Sequence, residues 1–207
     1  MKAGTRSLLF GGHCWFIHPW FVALAWWKLY GFPRDYRLWV AFLVHDWGYW
    51  GKGDMDGAEG ETHVELGARI MHVFDRYAYS HGVRMFAPYI PELGARERTW
   101  HDLCLYHSRF YAKRDGKPYS KLCVADKLAI AITPWWLYLP LVLLSGEWRE
   151  YVEKARTGKY SGMNIDDRLG LKAWYLSVQS YCRAWAMVHA DGRADQWTPE
   201  ASEVPNG

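Results

Sequence analysis

Five apolar stretches of helical period in this chain each carry a histidine or an aspartate where the buried face should be hydrocarbon. His18 shares a face with Phe21, Val22, Ala25 and Leu29, and His45 follows Leu38, Ala41 and Phe42 on theirs. His63 falls with Leu66, Gly67 and Ile70, His107 with Trp100, Leu103 and Phe110, and Asp126 with Leu122, Ala129 and Ile130. Asp46, beside His45 at the end of its apolar helix, sharpens the problem: a buried carboxylate without a basic partner or a cation costs too much to persist. A lone buried histidine is more often hydrogen-bonded within the protein than metal-bound. Five such positions on five segments favour one shared centre, and imidazole combined with carboxylate suits zinc, iron, manganese or nickel.

The rest of the chain reads as helix, and strand-like alternation is scarce. The expected fold is an all-α bundle. The 207 residues, half of them apolar, suffice for one domain with a real core. The pattern predicts helices over 14–30, ended by Gly31 and Pro33, and over 36–47, with Asp35 as N-cap. A Gly-rich acidic loop, 48–61, leads to a helix over 63–79 with Thr62 and Glu65 as a capping box. Further helices are expected over 95–111, over 120–132 with Ser120 opening it, and over 134–144, 147–155 and 166–189. One domain spans 1–190, with a core at about 14–132 and a helical extension at 133–190. The tail, 191–207, reads as loose.

Charge and cysteine usage exclude several classes. A net charge of +3 is too mild for a nucleic-acid binder. The local distribution says more: Arg109 to Lys127 holds six Lys or Arg against Asp115 and Asp126, a stretch that attracts a phosphate-bearing ligand. The four cysteines lack zinc-ribbon or disulfide-framework spacing, and free thiols fit a reducing cytoplasm. The basic, then apolar, N-terminus resembles a signal peptide only superficially, since it carries His13, His18 and Pro19. The apolar run 129–144 is shorter than the roughly 20 residues a spanning helix needs, so it reads as buried or lying at a membrane surface. The chain holds 14 Trp and 14 Tyr, which suit a packed core, an interface or a pocket that stacks a nucleobase.

His18, then His45-Asp46, then Asp126, in this order on helices, resembles the HD superfamily of metal-dependent phosphohydrolases. HPWFVALAWWKLYGF is similar to the opening helix of the stringent-response nucleotide hydrolases, and AFLVHDWGYWGKG to the apolar run into HDxG. LYHSRFYAKRDGKPYSKLCVADKLA resembles segments of the HD-GYP cyclic-dinucleotide phosphodiesterases and of the HD-type diadenosine tetraphosphate hydrolases. The resemblance covers about 14–132. The chain departs from these families in three places. Gly48, Tyr49 and Trp50 stand where two subclasses have acidic residues, His107 stands alone where HD-GYP proteins have a histidine pair, and the GYP signature is absent. His13 competes with His18 as first ligand; helical phase and the His-Pro match favour His18.

The resemblance implies an HD-domain helical bundle with a C-terminal helical extension. One divalent ion would sit on His18, His45, Asp46 and Asp126, and a second on His63 and His107 with Asp46 shared. Manganese, iron, zinc, cobalt, nickel and magnesium are all admissible. The implied reaction is attack of a metal-activated hydroxide on a phosphate ester or anhydride of a nucleotide or dinucleotide. Asp46 would be catalytic, and Lys52, Arg109, Lys113 and Lys127 are the cations expected to finish charge neutralisation. Trp47, Tyr49, Trp50 and Tyr111 are candidates for base stacking. The same scaffold also serves diiron oxygenases, and a non-catalytic nucleotide- or partner-binding module is a further reading. The sequence leaves room for a homo-oligomer.

Overall fold

The computed structural model describes residues 1–55, 57–80, 99–149, 151–152 and 170–192, with backbone alone for 77–80. The start of the helix expected from 95, Asp56, the end of the 147–155 helix, the start of the 166–189 helix and most of the tail lie outside the described residues. The described residues are all-α, with no strand. Among the described residues, α-helices run in the order α1 (Ala3–Phe10), α2 (His18–Tyr30), α3 (Tyr36–Val44), α4 (Ala58–Glu61), α5 (Val64–Ser80), α6 (Trp100–Leu105), α7 (Arg109–Arg114), α8 (Lys121–Ile132), α9 (Trp135–Ser145) and α10 (Leu171–His189).

The core forms around α8, which packs between α2 and α10. Leu122, Cys123, Val124, Ala125, Leu128, Ala129 and Ala131 are all buried, so α8 is covered on nearly every side. Small residues on this helix let its neighbours approach closely, and Trp26, Trp100 and Trp185 fill the surrounding space. No single described helix is long and apolar enough to cross a membrane; α8 and α9 pass such a test only as a pair bent by 102°.

Several boundaries differ from the sequence expectation, each for a local reason. α2 starts at His18 rather than Cys14, because Pro19 lacks an N–H and fits the first turn; Cys14 to Ile17 form the turns that precede it. α1 is an additional element. It docks on the loop after Asp46, Gly4 N donating to the Lys52 carbonyl and Gly51 N to Thr5 Oγ1. The capping box at Thr62 does not form: Thr62 closes α4 and its hydroxyl donates to the Glu59 carbonyl, while Glu65 accepts from the Tyr111 hydroxyl. The helix expected to run on to residue 111 breaks after Leu105, and Ser108 restarts it as the N-cap of α7. The N-caps Asp35 and Ser120 form as expected, each side chain accepting a backbone N–H.

Candidate metal centre

The six ligand candidates are delivered by five different segments. His18 opens α2, His45 and Asp46 follow the last turn of α3, His63 precedes α5, His107 lies in the break between α6 and α7, and Asp126 lies in α8. The two halves of the cluster meet because glycine lets α5 lie against the end of α3. A Cβ on Gly48 would stand 1.8 Å from the His63 carbonyl oxygen, and one on Gly67 would stand 2.9 Å from the Val44 carbonyl oxygen.

Asp46 is the shared member. Its Oδ2 lies 3.1 Å from His45 Nε2 and 3.6 Å from His18 Nε2, and Asp126 Oδ1 lies 2.9 Å from His18 Nε2 and 3.9 Å from His45 Nε2. Its other oxygen, Oδ1, lies 3.5 Å from His107 Nε2 and 3.7 Å from His63 Nε2. The donor atoms of His18, His45, Asp46 and Asp126 fall within 4.8 Å of one another, as do those of Asp46, His63 and His107. The cluster therefore has two lobes joined by one carboxylate, and each can hold a metal ion.

The hydrogen bonds behind the rings fix which nitrogen faces the centre. His45, His63 and His107 donate from Nδ1 to the carbonyls of Phe42, Gly60 and Cys104, at 2.9, 2.7 and 2.7 Å. A neutral imidazole that donates through Nδ1 carries a lone pair on Nε2, the arrangement found behind metal-ligating histidines. His63 Nε2 and His107 Nε2 face each other across 3.1 Å; were both rings neutral, two lone pairs would meet there. Two such lone pairs repel unless a cation or a proton lies between them. His45 Nε2 and Asp46 Oδ2 are buried with no hydrogen-bond partner, although only 3.1 Å separates them. A cation satisfies all of these atoms together, so the donor set fits one.

Electrostatics of the ion-free chain point the same way. Burial opposes a charge on His45, but Asp46 and then Asp126 outweigh it and raise its pKa to about 10. A proton there supplies positive charge between the two carboxylates. Burial and the adjacent His107 push His63 down to about 3, so that ring is neutral. Burial also opposes the charge on Asp46 and Asp126, yet neighbouring histidines, His45 for Asp46 and His18 for Asp126, hold both well below the usual carboxylate range. Entry of an ion into the first lobe must displace the His45 proton, whereas His63 has none to give. Calorimetry at pH 7.5 in buffers of differing ionisation enthalpy is expected to read about one proton released for the first ion, and affinity in that lobe should rise with pH up to about 10. Proton-neutral uptake would contradict this reading of His45.

The cluster lines a cavity of about 180 Å³, shared with Arg109, Lys127, His13, Tyr49 and Glu61. Tyr49 stacks on His63 with ring centroids 4.0 Å apart, and Glu61 accepts from Ser108 Oγ at 2.9 Å. The other proposed cations lie elsewhere. Lys52 lines a separate cavity with Trp47 and Trp50 and donates to Thr62 Oγ1, while Lys113, on α7, is not among the lining residues. Of the aromatic candidates Tyr49 alone reaches the cavity; Tyr111 is turned to Glu65. The remaining aromatic wall comes from the extension, as Tyr138, Tyr151, Trp174 and Tyr181.

Glu147 escaped the sequence reading, having no motif around it. It is 4% exposed and accepts from Ser7 Oγ at 2.6 Å, Ser145 Oγ at 2.9 Å, Tyr151 Oη at 3.3 Å and the Gly12 amide. Ser7 Oγ also lies 2.9 Å from His13 Nδ1, so Glu147 holds His13 at the cavity edge through Ser7. His13 is thus beside the cluster, its ring 5.7 Å from that of His18, while His18 is the one among the grouped donor atoms.

No family model, curated protein or solved structure matches this chain. His63→Ala is expected to remove the second ion and leave the first, halving the metal content of protein loaded with manganese and measured by plasma mass spectrometry. Loss of all bound metal would show that the lobes do not act separately.

Proposed function

We propose that this chain is an HD-type metal-dependent phosphohydrolase that cleaves a phosphate ester or anhydride of a nucleotide or dinucleotide. The observation that carries the reading is the division of Asp46, one carboxylate oxygen facing His18 and His45 and the other facing His63 and His107. Paired divalent ions in such a cluster supply Lewis acidity toward a phosphoryl oxygen and toward water. The order of the ligands along the chain agrees with the HD resemblance.

The chain's own residues do the rest. Arg109 and Lys127 line the same cavity and bring fixed positive charge to the phosphoryl oxygens, where a partly dry site strengthens each interaction. His13, held through Ser7 by Glu147, presents an imidazole at the edge of the cavity. Tyr138, Tyr151, Trp174 and Tyr181 offer a wall on which a base can stack, and this favours a nucleotide over a small phosphate ester. Cys104 and Cys182 are buried and their thiols are raised by burial, so neither serves as the nucleophile.

The test is a panel of mono- and dinucleotides offered to purified protein with manganese, cobalt, nickel, iron or magnesium. Release of phosphate or a nucleoside monophosphate, lost on chelation, is the expected result. Absence of turnover together with a mixed-valent iron signal would instead assign the centre to oxygen chemistry. Tight nucleotide binding without product would assign the chain to a binding role.

A further inference from the structure

α2 and α3 meet solvent through aromatic side chains. Around α2 the outward positions are Phe16, Trp20, Leu24 and Trp27, while Val22, Ala25 and Trp26 on the opposite face are buried. On α3 they are Tyr36, Trp39 and Leu43; Trp47 and Trp50, beyond α3, are exposed too and line a separate cavity with Glu65 and Arg69. Trp20 is 66% exposed, Trp27 56% and Trp50 64%. The Trp20 and Trp39 rings lie 5.8 Å apart, which joins the two stripes into one face. Isolated exposed apolar residues are ordinary, but a continuous face of this kind marks an interaction surface.

Charge indicates what covers it. Residues 1–34 contain Lys2, Arg6, Lys28 and Arg34 and no Asp or Glu. The first acid, Asp35, is tied to Arg37 at 2.6 Å, and the next, Asp46, is in the metal centre. Lys28 and Arg34, both exposed, follow the stripe at the end of α2. A symmetric dimer through this face would set its cationic rim against itself. Anionic headgroups complement the rim, and tryptophan side chains settle at the depth where headgroup meets acyl chain. No single described helix spans a bilayer, so the contact is parallel to the surface.

We propose that the α2–α3 face docks on an anionic membrane surface, with Trp20, Trp27 and Trp39 entering the headgroup region and Lys28 and Arg34 against lipid phosphates. The full chain is mixed with phosphatidylcholine vesicles and with vesicles that also contain phosphatidylglycerol, and sedimented at low and high salt. Binding to the anionic vesicles, weakened by salt, is expected. The double variants Trp20→Gln/Trp27→Gln and Lys28→Glu/Arg34→Glu should each lower it by about tenfold or more, with far-UV circular dichroism and metal content unchanged. Three results would overturn the proposal. These are no vesicle binding at low salt, undiminished binding by the charge-reversed variant, and a dimer that the tryptophan variant dissociates, which would give the face to a second copy of the chain.

Discussion

Asp46→Ala is expected to strip metal from both lobes and to lower turnover by about 10³-fold or more, because the charge stabilisation that bound ions supply is worth several kcal/mol and each 1.36 kcal/mol is tenfold in rate. The reason is geometric. Asp126 serves the first lobe alone, and His63 and His107 the second, but Asp46 gives one oxygen to each. Its removal leaves the second lobe with two imidazoles and no anionic ligand. Wild-type protein with metal at about 100 times its dissociation constant should gain about 2.7 kcal/mol of stability for each lobe filled, read as a rise in Tm of roughly 5–10 °C per ion for a chain of this size. That metal-induced rise should vanish in Asp46→Ala. The readout is a thermal melt with and without manganese, taken beside metal analysis. A variant that keeps both ions and its melting shift would mean that Asp46 is a buried acid of another kind.

Gly48→Ala should have the second large effect, on folding as well as on the centre. Its Cβ would fall 1.8 Å from the His63 carbonyl oxygen and 2.6 Å from the carbonyl carbon, so the obstacle is backbone, which cannot rotate away. Either the turn after Asp46 or the start of α5 must retreat. Overpacking of this kind costs about 3 kcal/mol or more, a fall of roughly 6–12 °C in Tm. The retreat also draws His63 away from Asp46, so the second lobe should lose affinity even at temperatures where the variant is folded. Gly53→Ala is the control, since the nearest atom its Cβ would meet is a carboxylate oxygen of Glu59, 3.3 Å away at the end of a flexible side chain. That control should stay within about 0.5 kcal/mol of wild type. Equal stability of the two variants would refute the close packing of α5 on the end of α3.

Part of the site was legible because burial imposes a simple rule on charged groups. A carboxylate or imidazole on the hydrocarbon face of a helix demands compensation, and the helical period alone reveals which face that is. His18, His45, Asp46, His63, His107 and Asp126 were all visible on this ground, as were the caps Asp35 and Ser120, since a cap depends on neighbours two or three residues away. Arg109 and Lys127 were visible as cations near the right helices. Lys52 and Lys113 looked equivalent in sequence, and nothing local distinguishes a lysine that lines the cavity from one that lines another or none.

The sequence by itself thus determined the all-helical class and the identity of the polar groups that burial forces together, because both follow from periodicity and from the cost of an unpaired charge. Only the tertiary structure decided that Asp46 divides its two oxygens between separate histidine pairs, that the Nε2 atoms of His63 and His107 meet, that Glu147 holds His13, and that the extension walls the cavity with aromatic rings. Those features depend on contacts between segments far apart in the chain, set by how closely α5 lies on the end of α3 and where α6 breaks. Distances of this kind come from packing in three dimensions, which the local pattern of residues does not encode.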